Sequence, residues 1–172
     1  MPINRLNHAV LYVRDVQRSV SFYCDVLDFT PIAEMASLCG AAFLRAPGST
    51  NDHDLGLFEV GPAAADSPAG RGSVGMYHLA WEVDTLEDLS ALAQRLGDVG
   101  ALTGASDHST TKSLYAHDPD GLEFEIAWIV PADRLDATAR AGRAAVQPLD
   151  LEREMARYGA RTPGGTGVSR PT

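Results

Sequence analysis

The segment Leu6–Val13, which reads LNHAVLYV, decides the fold because Met76–Val83 (MYHLAWEV) repeats its pattern 70 residues further along the chain. Both segments are short apolar runs with a histidine at the third position, and runs of this length rich in branched and aromatic residues predict strands. A capping residue and a helical pattern follow each of them, Val16–Leu27 in the first case and Leu86–Leu96 in the second. The sequence therefore predicts an internal duplication.

Each half continues with further strand patterns, so we predict two β-α-β-β-β modules, the first at residues 5–60 and the second at residues 73–130. Residues 61–72 contain two prolines and three glycines, which predict a flexible linker between the modules. Residues 131–160 have helical patterns and predict a helical extension. Residues 161–172 are rich in glycine and polar residues and predict a disordered tail.

The composition limits the classes of partner. The 172 residues have a formal net charge of −9, which disfavours a nucleic-acid partner. The two cysteines, Cys24 and Cys39, favour a reduced intracellular protein over a disulfide scaffold. No apolar run approaches the ~18 residues that a membrane span needs. We therefore expect a cytoplasmic protein with no membrane partner.

Two histidines and a carboxylate are the strongest functional signal. His8 and His78 occupy equivalent positions in the two modules, and Glu123 and Glu125 follow the turn Asp118–Gly121. Two histidines and one carboxylate form the ligand set of non-haem Fe(II) sites, which leaves coordination positions open for substrate and oxygen. Because side chains alternate along a strand, Glu123 and Glu125 project from the same face, and the pattern does not choose between them.

On these residues the chain resembles the vicinal-oxygen-chelate superfamily, which includes glyoxalases, bleomycin-resistance proteins and extradiol dioxygenases. The resemblance covers roughly residues 5–130 and is best with the catalytic domain of type I extradiol (catechol 2,3-dioxygenase-like) dioxygenases. Many of those proteins contain a second, non-catalytic pair of modules, whereas this sequence shows one pair. The resemblance implies an α+β fold in which residues 1–130 form a mixed-sheet, half-barrel metal-binding cup, with a C-terminal helical tail.

The resemblance also implies roles for individual residues. The metal ligands that it implies are His8, His78 and Glu125. The residues that it places at the substrate are His53, as the acid–base group, and His108 and Tyr115, as neighbours of the bound ring. The metal implied is Fe(II), with Mn(II) as the alternative. The family commonly has an asparagine where this chain has Thr110.

These residues together predict an Fe(II)-dependent extradiol dioxygenase that acts on a small aromatic diol with O2, as a homo-oligomer. One alternative is a divalent-metal isomerase or lyase of the glyoxalase type, in which Glu59 is a fourth ligand and closes the open coordination face. A second alternative is a non-catalytic protein that binds or sequesters small molecules. Such members generally lack the metal ligands, so the intact ligand set argues against it.

Overall fold

The computed structural model describes residues 2–3, 5–35, 38–70 and 72–168, so Arg71 of the predicted linker and the last four residues of the predicted tail lie outside it. The chain divides into two compact units. The first comprises Met1–Ser67 with Asp118–Gly121, and the second comprises Pro68–His117 with Leu122–Thr172. Each unit contains the strands and the helix of one module, which confirms the α+β class and the duplicated β-α-β-β-β order.

The first unit is a four-stranded mixed sheet with one helix. Its elements are β1 (Ala9–Val13), α1 (Val16–Leu27), β2 (Thr30–Pro31), β3 (Ala41–Arg45) and β4 (Leu55–Glu59). The strand order is β1-β4-β3-β2, in which β1 and β4 are parallel and the other neighbours are antiparallel. A 3-10 turn, Ala33–Met35, follows the short β2.

Helix α1 starts at the predicted cap, because the Asp15 carboxylate accepts a hydrogen bond from the Arg18 amide. The sheet face towards α1 is apolar, with Leu55 and Leu57 of β4 fully buried. The turn at 118–121 joins this unit through Arg14, whose guanidinium contacts the Asp120 carboxylate at 3.0 Å. Arg14 also pairs with Asp66 at 2.5 Å, so the first half of the predicted linker is held to the unit.

The second unit is a five-stranded sheet with three helices. Its elements are β5 (Leu79–Glu82), α2 (Leu86–Asp98), β6 (Leu102–Asp107), β7 (Thr111–His117), β8 (Glu123–Ile129), α3 (Ala137–Gly142), β9 (Gln147–Pro148) and α4 (Leu151–Tyr158). The strand order is β5-β8-β7-β6-β9. β5 and β8 are parallel, as β1 and β4 are in the first unit. Thr85 caps α2 by accepting a hydrogen bond from the Asp88 amide.

The first residues of the predicted tail pack against the sheet of the second unit. The sequence predicts disorder from residue 161, but residues 161–168 lie against β8, where the indole of Trp128 donates to the Thr162 carbonyl at 3.2 Å. A Cβ atom on Gly164 would lie 3.1 Å from the Trp128 ring. The glycine that suggested disorder is therefore needed for close approach to the sheet. In the part of the chain that the structure describes, no helix is both long and apolar enough to cross a membrane.

Candidate metal centre

In the first unit, two of the predicted site residues lie side by side. His8 immediately precedes β1 and His53 precedes β4, and the pairing of Ala9 with Leu55 brings the two imidazole rings to a centroid distance of 4.6 Å. His8 is exposed, so the cost of burying an imidazole does not itself demand a metal there. Its Nδ1 atom lies 2.8 Å from Oδ1 of Asn7. With the proton on Nδ1, His8 donates to Asn7 and keeps the Nε2 lone pair available to a metal.

His53 is oriented in the same way by its neighbour. Its Nδ1 lies 2.9 Å from the Asp52 carboxylate, which favours the tautomer that leaves Nε2 free to take a proton. The edge of the Phe43 ring packs against His53, with ring centroids 5.0 Å apart. Only 16% of the His53 side chain is exposed. The ring is therefore held in one place, and its Nε2 has no hydrogen-bond partner among the residues that the structure describes.

The turn that leads into His53 is held by Asp54, which is buried. Its carboxylate accepts hydrogen bonds from the Ala46 amide at 2.9 Å, and from the Ser49 hydroxyl and the Asn51 side chain at 2.7 Å each. Burial alone would raise the pKa of Asp54, but these hydrogen bonds outweigh it and hold the pKa below its usual value. Asp54 is therefore ionised at neutral pH and fixes the turn.

In the second unit, the structure brings His78 and Glu125 together. His78 precedes β5, which pairs with β8, and its Nε2 lies 3.0 Å from Oε2 of Glu125. This is the distance of a hydrogen-bonded ion pair, and it is also the separation of two ligands about 2.1 Å from one metal ion at right angles, as in octahedral sites. The other oxygen of Glu125 accepts a hydrogen bond from the Ser113 hydroxyl at 2.5 Å. The pair is thus spaced as neighbouring ligands of one ion would be.

Glu123 faces the opposite nitrogen of the same histidine. Its Oε1 lies 3.6 Å from Nδ1 of His78, and both atoms are buried without a hydrogen bond to any described residue. Its Oε2 lies 3.7 Å from Nε2 of His117. A small movement would let the His78 Nδ1–H donate to Glu123, the outer contact that metal-bound histidines usually make. Sequence alternation left Glu123 and Glu125 equivalent, whereas the structure gives each a different nitrogen of His78.

His108 and Tyr115 also meet within the second unit. Nε2 of His108 lies 2.8 Å from the Tyr115 hydroxyl, and Tyr115 pairs directly with Glu125 across β7 and β8. The Tyr115 and His78 ring centroids are 5.9 Å apart. Burial, together with the negative charge of Glu125, raises the pKa of Tyr115, so it is a neutral phenol at physiological pH. The structure therefore forms a hydroxyl–imidazole pair beside the carboxylate.

The strand registers identify the position in the first unit that matches Glu125. Ala9 follows His8 and pairs with Leu55, and Leu79 follows His78 and pairs with Phe124. The residue after Leu55 is Gly56, so Gly56 occupies the position equivalent to Glu125. Glu59 lies three residues further along β4, and its carboxylate accepts a hydrogen bond from the Val16 amide at the start of α1 at 3.1 Å.

Gly56 also has a neighbour that restricts what could replace it. A Cβ atom at this position would lie 3.3 Å from the ring of Phe43 and 3.4 Å from a methyl group of Val10. The first unit thus has an apolar, closely packed surface where the second unit has a carboxylate.

The predicted site residues are arranged as contacts within each unit. His8 lies with His53 in the first, and in the second His78 lies with Glu125 and His108 with Tyr115. Across the described residues, no group of three or more His, Cys, Asp or Glu side chains is placed to hold a metal ion. Sequence reasoning missed the supporting partners Asn7, Asp52 and Ser113. Two of these are adjacent in sequence to a predicted histidine, and Ser113 lies two residues before Tyr115 on the same strand face, which is the signal that could have found them.

Comparison with known proteins gives a consistent family. The family model described as the glyoxalase/bleomycin resistance protein/dioxygenase superfamily matches residues 5–126. A catechol-2,3-dioxygenase of Bacillus subtilis is 31% identical over 121 residues, which are 70% of this chain and 40% of that protein. A biphenyl-2,3-diol 1,2-dioxygenase of Rhodococcus globerulus is 32% identical over 120 residues, 69% of this chain and 60% of that protein. The chain thus spans about half the length of these relatives.

Relatives with other activities are similar at nearly the same level. A metallothiol transferase FosB of Staphylococcus saprophyticus is 29% identical over 137 residues, 78% of this chain and 83% of that protein. Among solved structures, a glyoxylase/bleomycin resistance protein/dioxygenase domain from Frankia sp. EAN1pec aligns with a TM-score of 0.57 and 23% identity, covering 73% of this chain and 92% of that one. This structural likeness concerns the fold.

Proposed function

Because the chain belongs to the glyoxalase/bleomycin resistance protein/dioxygenase superfamily, we propose that it is an Fe(II)-dependent extradiol dioxygenase. The reaction proposed is cleavage of the ring of a catecholic substrate by O2, with Mn(II) as the alternative metal. The two dioxygenase relatives support this choice, since their names specify action on catechol and on a biphenyl diol. The other relatives make the reaction type the point to be tested.

The proposed metal ligands are His8, His78 and Glu125. Neutral imidazole nitrogens and a carboxylate suit Fe(II). The Nδ1 contact of His8 with Asn7, which directs Nε2 outward to a metal, and the 3.0 Å His78–Glu125 spacing fit this use. Three protein ligands leave positions at which bound Fe(II) supplies chelation of a diol and binding of O2. The proposal requires metal binding to complete the ligand set, as is common where metal binding is coupled to folding.

The observation that carries the proposal is the identity of the residue in the first unit at the position equivalent to Glu125. A fourth protein ligand of the glyoxalase type would have to come from the strand of the first unit that matches β8. Gly56 stands at the equivalent position and has no side chain, and Glu59 is engaged with the amide of Val16 at the α1 N-terminus. A three-ligand site, which oxygen chemistry needs, is therefore the arrangement that this chain supports.

The remaining predicted residues have complementary tasks in this proposal. His53, with its proton held on Nδ1 by Asp52, takes a proton at Nε2 and returns it later in the reaction. The neutral Tyr115 hydroxyl and His108 donate and accept hydrogen bonds at the substrate oxygens. Phe43, packed against His53, contributes an apolar face that suits an aromatic ring and excludes water.

Anaerobic loading with Fe(II), followed by O2 uptake with a panel of vicinal diols, tests the reaction. We expect O2 uptake together with a new visible absorbance from the opened ring, and no reaction with 1,3-diols of matched size. In the Glu59→Gln variant the side-chain oxygen can still accept the hydrogen bond from the Val16 amide, and we expect this variant to cleave the diol at the wild-type rate. If no vicinal diol of the panel supports O2 uptake by the iron-loaded protein, the proposal is contradicted. Turnover without O2, supported by Ni(II) or Co(II), favours the isomerase alternative.

Glu123 should contribute to metal affinity through its contact with His78. We expect Glu123→Gln to weaken metal binding by about 10- to 100-fold, because it removes the carboxylate that faces Nδ1 of His78. Titration with Co(II), followed by its visible absorption, measures this effect without any turnover. Glu82→Gln, an exposed carboxylate on β5, is the matched control and should bind Co(II) as the wild type does. An unchanged affinity in Glu123→Gln would show that His78 needs no outer partner.

A further inference from the structure

The loop between β6 and β7 carries His108 and has an unusual backbone conformation at the residue that follows it. The next residue, Ser109, has a φ of 68°, one of the two positive values among the described non-glycine residues. The left-handed region is uncommon for serine, so such a conformation persists only where surrounding contacts enforce it. The His108 amide donates to the Thr111 carbonyl at 2.9 Å, which closes the turn and sets the direction of the imidazole towards Tyr115.

The contacts that hold this loop come largely from the C-terminal extension. The Ser109 hydroxyl donates to the carbonyl of Ala139 in α3 at 2.9 Å. Strand β9 pairs with Ser106 and Asp107, the last residues of β6 before the loop. Gly142, which ends α3, lies so close that a Cβ atom there would be 2.9 Å from the Ser109 hydroxyl oxygen. The fit between α3 and Ser109 therefore leaves no space for a larger residue.

A buried cluster of charged side chains also holds the loop in place. Nζ of Lys112 lies 2.5 Å from the Asp107 carboxylate and 2.9 Å from the Glu154 carboxylate of α4. The same Oδ1 atom of Asp107 accepts a hydrogen bond from the Ser109 amide at 2.7 Å. Helix α4 is thus connected through two side chains to the residue that follows His108.

We infer that the C-terminal extension, through Ala139 and Gly142 of α3, positions His108 for its hydrogen bond to Tyr115. The family match ends at residue 126, so all of these extension residues lie beyond it. Ser109, Ala139 and Gly142 act through His108 and are positioning residues. The inference rests on the proposed function for the role of His108, but the placement of the His108 ring can be measured without turnover.

Gly142→Ala is the most informative test because the added methyl group would lie 2.9 Å from the Ser109 hydroxyl oxygen. Positioning predicts that the new methyl group displaces Ser109 and with it His108. We expect kcat to fall about 10- to 100-fold with little change in Co(II) affinity. We also expect altered ¹⁵N shifts and an altered tautomer ratio of the His108 imidazole in the metal-free protein.

A Ser109 variant tests the same link from the other side. Ser109→Ala removes the hydrogen bond to Ala139 and should produce the same NMR and kcat changes as Gly142→Ala. Ser21→Ala, an exposed serine of α1, is the matched control and should change neither.

The results separate the inference from the proposed function. If the wild type cleaves no diol but Gly142→Ala and Ser109→Ala still shift the His108 resonances, the positioning role stands and the assigned reaction fails. If both variants keep wild-type His108 resonances, the inference is overturned whatever the activity.

Discussion

Replacing His53 by phenylalanine is expected to lower kcat for ring cleavage by about 100- to 10 000-fold, the usual contribution of a positioned acid–base group. Phenylalanine keeps a ring of similar size beside Phe43, whose centroid lies 5.0 Å from that of His53, but it removes the Nε2 that exchanges the proton. His8 and its contact with Asn7 remain, so Fe(II) content should be that of the wild type. The loss should therefore appear in kcat rather than in metal occupancy.

The measurement is steady-state O2 consumption with iron determined in the same samples. Asp52→Asn is a milder variant for comparison with His53→Phe, because it keeps the His53 imidazole but removes the carboxylate that holds the proton on Nδ1. We expect a smaller decrease in kcat for it than for His53→Phe. Near wild-type kcat in an iron-loaded His53→Phe protein would remove His53 from the reaction and leave Tyr115 and His108 as the only proton-transfer candidates in the proposal.

The parts of the fold that local chemistry controls could be predicted from the sequence. Asp15 and Thr85 cap their helices as expected, because a side-chain oxygen near the first amides satisfies a local requirement. The duplication is visible because the two histidine-bearing strands share one pattern. The order of residues 161–168 could not be predicted in the same way. The glycine content around Gly164 suggests disorder, and only the structure shows that this glycine allows close approach to Trp128.

For the candidate site, residue type was predictable and exact equivalence was not. Glu59 lies near the end of β4, and from the sequence it is close to the position that matches Glu125. Strand register decides the match, and register depends on which residues of two distant strands pair. Because Ala9 pairs with Leu55, the residue of β4 that is equivalent to Glu125 is Gly56, not Glu59. The Glu59 carboxylate instead accepts a hydrogen bond from the Val16 amide at the start of α1. This register and the Val16 contact are the observations that favour three protein ligands in the proposed site.

Lys112→Met is expected to have the largest effect on stability, lowering the free energy of unfolding by about 3–5 kcal/mol. Lys112 is fully buried, and it pairs with Asp107 at 2.5 Å and with Glu154 at 2.9 Å. Methionine has a similar length but no charge, so two carboxylates would remain near each other without their shared cation. Arg153 lies 3.0 Å from Glu154, but more than half of its side chain is exposed, so it compensates only in part.

Urea unfolding at several pH values, followed by circular dichroism, distinguishes charge loss from poor packing. In the wild type, burial alone would raise the pKa of Asp107. Hydrogen bonds from Lys112 and from the Ser109 amide outweigh it, so the pKa is lowered. The wild type therefore loses this contribution as pH falls below about 4, whereas in the variant Asp107 is buried without the cation and the protein regains stability as Asp107 protonates. The difference in unfolding free energy between wild type and variant should be greatest at neutral pH and should shrink below about pH 5.

A difference in unfolding free energy that is independent of pH would mean that methionine packs badly. Lys112→Met combined with Glu154→Gln checks the sign, since removing one stranded charge should restore part of the loss.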